Sequence, residues 1–140
     1  MGRTAPGASM LGPATLMGYR VAIGRAGYGT LIPDDHARVH GVLWQLTDQD
    51  EAALDQFEAV DQGIYHKACV TVRRAGSEDR AMVYLAVDGS PGVANPDYVR
   101  QVVAAARASG LPVDYVDSLT RLPQDESTEP WVPPVARVRN

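Results

Sequence analysis

The run Arg38-Val39-His40-Gly41-Val42-Leu43-Trp44-Gln45-Leu46 constrains this chain more than any other stretch. Read as a strand, it puts His40, Val42, Trp44 and Leu46 on one face and Val39, Gly41 and Leu43 on the other. A strand that is apolar on both faces needs cover on both sides, which places it in the middle of a sheet or barrel. Gly41 within the run predicts a bulge or a close approach by other backbone. The chain has 140 residues, enough for a single domain with a real core, and 45% of them are hydrophobic, so burial rather than disorder is expected.

Other elements can be built around that strand. Residues 1–13 carry Gly2, Pro6, Gly7, Gly12 and Pro13 without a period and read as an irregular lead-in. Tyr19 to Ile23 is a short β-like run, Gly24, Gly27 and Gly29 mark a loop, and Pro33 ends the next short segment. Thr47 is a helix N-cap, with Asp48 and Asp50 in the first turn, and the helix runs to about Phe57. Lys67–Arg73 alternates, with Ala68, Val70 and Val72 on one side. Arg80–Val87 is a partner strand, joined to it through a loop at Ala75–Asp79. Asn95 and Pro96 open a second helix with the stripe Val99, Val102, Val103 and Ala106, which Gly110 closes. Asp114 to Arg121 can add a short third one. The expected fold is α+β: a small mixed or antiparallel β-barrel with two main helices over residues 1–122, followed by a Pro-rich tail at 123–140.

Bulk properties exclude some functions. The formal charge is −4 with no basic cluster, which argues against nucleic acid and anionic membranes as partners. The single Cys69 rules out an intramolecular disulfide framework and a cysteine zinc site; beside it no base is expected, so a small strand residue is the reading. No apolar run is long enough to span a membrane, and Met1–Ser9 lacks the pattern of a signal peptide; a cytoplasmic location is expected. His36, His40 and His66 form no metal motif, and Glu51, Asp55, Glu58 and Asp61 read as an acidic helix surface.

One carboxylate stands apart. Leu54, Phe57 and Glu58 fall at i, i+3 and i+4, so Glu58 shares the apolar face of its helix end. An apolar wall of Leu54, Phe57, Val60 and Ile64 would raise its pKa; the helix dipole and Asp55 would push the same way. Such a group can serve as a general base or acid; a solvated glutamate at the helix rim is the competing reading. Tyr65, Tyr84 and Tyr98 lie where predicted elements meet, either as core filler or as the lining of a small polar pocket.

The order Gly12-Pro13-Ala14-Thr15-Leu16, Gly18-Tyr19-Arg20-Val21, Val39-His40-Gly41-Val42-Leu43-Trp44, Leu54-Asp55-x-x-Glu58 and Gly63-Ile64-Tyr65 resembles the γ-glutamylcyclotransferase family. Val83-Tyr84-Leu85 and Asn95-Pro96-x-Tyr98 extend the resemblance, which covers roughly residues 10 to 116. It implies a small-barrel α+β fold and cleavage of a γ-glutamyl amide by internal cyclisation, releasing 5-oxoproline and an amine or amino acid. Neither metal nor organic cofactor is implied. The family's catalytic glutamate falls on Glu58, and its pocket tyrosines fall on Tyr65, Tyr84 and Tyr98. Members usually open with a strand ending in Tyr-Gly-Ser/Thr-Asn, which nothing before Gly12 supplies; Tyr28-Gly29-Thr30-Leu31 reads as a chance match. A late start site, a strand from another chain and a non-catalytic relic are the three explanations. Ala59 stands where glycine commonly follows the glutamate. A domain that binds a small ligand or a protein without turnover is the alternative function, and a homodimer is the assembly to test.

Overall fold

A computed structural model describes residues 6–58 and 60–128, so Ala59, the start of the lead-in and residues 129–140 of the expected tail lie outside the described residues. Four strands form one antiparallel sheet: β1 (Ser9–Ile23), β2 (Gly29–Gln45), β3 (Tyr65–Arg74) and β4 (Ser77–Ala86), in the order β2-β1-β3-β4. Three α-helices accompany it: α1 (Asp48–Phe57), α2 (Pro96–Ala108) and α3 (Val113–Leu119).

The long β1–β2 hairpin takes in residues 9–13 of the expected irregular lead-in and joins the two short runs expected from sequence. Its register slips between Met10 and Gly12 and again between Met17 and Tyr19, and Gly12 and Gly18 both take positive φ near these slips. Such bulges interrupt the period of two while the pairing continues, so the pattern reads as broken although the strand does not end. Pro33 likewise does not end a segment. It pairs opposite Tyr19 in β2, and β2 is an end strand, where a missing ladder donor is tolerated.

That end position corrects the central place expected for Arg38–Leu46. Val39 through Trp44 are all half-buried instead of alternating. Cover comes from other sources: the His40 ring packs edge-on against Tyr115 of α3, with centroids 4.9 Å apart. Val39, Gly41 and Leu43 help line a groove of about 660 Å³ that β4 borders through Arg80, Met82 and Tyr84. Gly41 pairs regularly with Ala14, and a Cβ there would meet nothing within 4 Å, so neither the bulge nor the close approach exists. The two ends of the sheet are drawn together where the Ala86 N–H donates to Thr30 Oγ1 at 2.9 Å.

The β3–β4 hairpin alternates as expected, with Ala68, Val70 and Val72 inward and Cys69, Thr71 and Arg73 exposed. Its connection is shorter than the predicted loop. Arg74 pairs with Ser77 across Ala75 and Gly76, both at positive φ, which is the two-residue turn that matches strand twist.

α1 is fixed at its start by a capping box. The Asp50 N–H donates to Thr47 Oγ1, the Thr47 N–H donates to Asp50 Oδ2, and the Gly7 N–H adds a third bond to Asp50 Oδ1 at 3.0 Å. α2 begins with the Asn95 side chain accepting from the Asp97 N–H, and ends where Leu111 N–H reaches Ala106 O beyond Gly110. Its buried Val99, Val103 and Ala106 pack with Ile23, Ala94, Val116 and Leu119 into the main core. Pro123 O and Asp125 N–H both bond to Ala94, which ties residues 123–125 to the foot of α2.

Candidate active site

Glu58 is the C-cap of α1, its N–H bonded to Leu54 O at 2.8 Å. A 3-10 turn at Val60–Gln62 and Gly63 at φ 72° then reverse the chain into β3. The carboxylate is half-buried, and burial pushes its pKa above the ordinary glutamate value. Leu54 is buried and Phe57 and Val60 are half-buried, but Ile64 is 47% exposed, so it does not belong to the expected wall. Burial is the cause of the shift, without a resolved part for Asp55 or the helix dipole. Asp55 is drawn into bonds of its own: Tyr84 Oη donates to Asp55 Oδ1 at 2.6 Å, and Lys67 Nζ binds Asp55 Oδ2 at 2.9 Å and Glu51 Oε2 at 2.7 Å. The Tyr84 bond leads the causes that hold the Asp55 carboxyl below its usual range. Among the described residues, none hydrogen-bonds or pairs with the Glu58 carboxylate.

The predicted tyrosines come from three elements. Tyr65 opens β3, Tyr84 sits in β4 opposite Lys67, and Tyr98 lies in the first turn of α2. Burial is the first cause that raises all three phenols, and the Glu58 charge adds to each. Two of them close on one backbone unit that the sequence reading passed over. Tyr98 Oη accepts from the Gly29 N–H at 2.9 Å, and Tyr65 Oη donates to Gly29 O at 3.2 Å. A Cβ at Gly29 would stand 3.0 Å from Tyr98 Oη, so glycine leaves the space that this clamp needs. The Tyr28-Gly29 pair set aside as a chance match is therefore held by two of the predicted site tyrosines; its sequence signals were a glycine among turn residues and that chance likeness.

Tyr65 and Tyr98 meet on Gly29, the Glu58 charge reaches both and Tyr84 as well, and Tyr84 is anchored on Asp55. The arrangement offers one desolvated carboxylate able to take and return a proton. Among the described residues no three His, Cys, Asp or Glu side chains gather as metal ligands. Cys69 is exposed on β3, its Sγ receiving Arg80 Nη2 at 2.9 Å, away from these groups in the register.

An α+β domain with this sheet and these helices has the γ-glutamyl cyclotransferase fold. A solved structure titled "Gamma-glutamyl cyclotransferase" superposes with a TM-score of 0.84 at 21% identity, covering 96% of this chain and 86% of that one. The AIG2-like family matches residues 38–119, and the chain belongs to that family. The mouse protein named gamma-glutamylcyclotransferase is 27% identical over 101 residues, 71% of this chain and 54% of its own length. The human protein of the same name is 26% identical over 103 residues, 73% of this chain and 55% of its length. The chain thus spans about half the length of the curated relatives it matches. Among the described residues no helix is long and apolar enough to cross a membrane.

Proposed function

We propose that this chain is a γ-glutamylcyclotransferase-type lyase that cleaves a γ-glutamyl amide, releasing 5-oxoproline and a free amine or amino acid. The observation that carries the reading is the desolvated Glu58 carboxylate, left without a hydrogen-bond partner among the described residues, whose charge reaches the phenols of Tyr65, Tyr84 and Tyr98. The two named relatives support the choice of reaction.

In this reading Glu58 takes a proton from the substrate's α-ammonium. The freed nitrogen attacks the γ-carbonyl carbon, forming the ring C–N bond. The amide C–N bond then breaks as the proton held on Glu58 passes to the leaving nitrogen; the ring nitrogen gives up its second proton through the same carboxylate to the departing amine, so a neutral lactam and an ammonium result. One carboxyl serves first as base and then as acid, so a raised pKa suits both steps. Tyr65, Tyr84 and Tyr98 line the pocket and hold the γ-glutamyl chain folded so that nitrogen and carbonyl meet. No cofactor enters the proton balance. The substrate is a small molecule, the enzyme works in the cytoplasm, and residues 1–122 form the working domain ahead of the 123–140 tail.

The test is 5-oxoproline release from a γ-glutamyl dipeptide. Glu58→Gln, which keeps shape and removes the base, should lower turnover by about 100- to 10,000-fold with the circular dichroism unchanged. A folded Glu58→Gln protein with full turnover would overturn the mechanism. Wild-type protein that binds γ-glutamyl compounds without ring formation would instead favour the binding-domain alternative.

A further inference from the structure

A second cavity, of about 280 Å³, is lined by Arg25, Gly27, Tyr28, Asn95, Tyr98 and Thr128 among others. Its volume suits a ligand of amino-acid size rather than a cofactor. The rings of Tyr28 and Tyr98 meet edge-on along it, with centroids 5.3 Å apart. Tyr98 links the two places: it lines this cavity, and its hydroxyl meets Gly29, which Tyr65 also holds. Asn95 is already committed, accepting from the Asp97 N–H and donating to Thr128 O.

Arg25 alone carries a charge among the described residues that line the cavity. The loop that carries it is tightly made. The Gly24 N–H reaches Tyr28 O and the Gly27 N–H reaches Gly24 O, both at 2.9 Å, with Gly27 at φ 90°. Gly92 packs on the loop from behind: its N–H bonds to Ile23 O at 2.9 Å, and a Cβ on it would fall 1.9 Å from Gly24 O. The guanidinium itself is lightly held. Its ion-pair partner Asp88 is 4.0 Å away, and the two side chains are 76% and 55% exposed, so an entering anion displaces little. Lys67, opposite Tyr84 in the β3–β4 register, is engaged by Glu51 and Asp55.

We infer that this cavity receives a carboxylate of the substrate, with Arg25 as its counter-charge and Tyr28 and Tyr98 as its walls. A guanidinium fork binds a carboxylate through two parallel N–H···O bonds, so the site selects charge and geometry together. The carboxylate belongs either to the departing amino acid or to the glutamyl unit itself. The choice of ligand rests on the cyclotransferase reading; the cavity and its cation do not.

The experiment compares γ-glutamylalanine with γ-glutamylethylamine, which differ only by the carboxylate of the leaving group, on wild type and Arg25→Gln. Arg100→Gln, an equal charge change at an exposed position of α2, serves as control. The expected result is a wild-type preference for γ-glutamylalanine that Arg25→Gln reduces about tenfold, mainly through KM, while Arg100→Gln keeps it. An equal rise of KM for both compounds, recovered in Arg25→Lys, assigns the carboxylate to the glutamyl unit. Unchanged KM for both in Arg25→Gln overturns the inference. If wild type turns over neither compound, the cyclotransferase reading falls alone, and saturation-transfer NMR decides the cavity. Binding of γ-glutamylalanine that is lost in Arg25→Gln sustains it, and absence of binding overturns it.

Discussion

At the scale of the residue, burial decides what Glu58 can do. A carboxylate that must accept a proton is useful only when ionised, and its raised pKa means that it remains protonated to higher pH than a free glutamate does. The acid limb of kcat/KM should therefore lie above the ordinary value of 4.5, with activity rising as pH increases through the raised pKa. A pH–rate profile on a γ-glutamyl dipeptide measures it, and a limb at or below the ordinary value would contradict the assignment. Glu58 was legible in the sequence because i, i+3 and i+4 spacing put it on the face of Leu54. Asp55 misled in the opposite sense. Sequence placed it one turn back as a repelling charge, whereas Tyr84 and Lys67, brought in by β3 and β4, occupy both of its oxygens. Partners that are 12 and 29 residues away leave no local pattern to read.

At the scale of the element, the helices were the legible part and the strand boundaries were not. Thr47 and Asn95 cap their helices through their own side chains, and Gly110 ends α2 with a positive φ, each a local chemical signal. β1 hid its length because Gly12 and Gly18 supply bulges, and a bulge shifts the alternation on which strand reading depends. The β3–β4 turn shows the converse case. Ala75 holds φ 50°, a left-handed conformation that a Cβ disfavours and that Asn accepts more readily. Ala75→Asn, giving the Asn-Gly pair preferred in such turns, should stabilise the protein by about 1 kcal/mol. Urea denaturation would show this as a higher midpoint with an unchanged slope; a lower midpoint would argue against strain at this position.

At the scale of the whole molecule, the sheet and the helices are joined by a core that also places the site. Ile23 at the end of β1 packs with Val99, Val103, Val116 and Leu119, and the same helix α2 carries Tyr98 to Gly29. Leu119 is 4% exposed, so Leu119→Ala should cost about 2–5 kcal/mol, a large part of the stability of a domain this size. Because the lesion lies outside the carboxylate, the variant should keep near-normal turnover at low temperature and lose it at a lower temperature than wild type. Differential scanning calorimetry beside assays at two temperatures would test this, and a lowered kcat in the cold would tie Leu119 to the site more directly. The α+β class followed from the order of helical and strand periods, but the end position of β2 did not. Apolar residues on both faces report cover on both sides, and here helix α3 covers His40 while Val39, Gly41 and Leu43 line a groove beside β4 where sequence would place a neighbouring strand.

The clamp on Gly29 makes a single amide proton into a gauge of how the parts hold together. Its acceptor is the Tyr98 hydroxyl on another element, so solvent exchange at Gly29 requires α2 to lift from the sheet. Leu31, paired within the hairpin to Val21, reports the fraying of β2 instead. Hydrogen–deuterium exchange followed by NMR should thus separate the two amides. Tyr98→Phe should quicken exchange at Gly29 with little change at Leu31, and a ligand seated among the tyrosines should slow Gly29 by mass action. Equal acceleration at both positions would mean that hairpin and helix open as one unit.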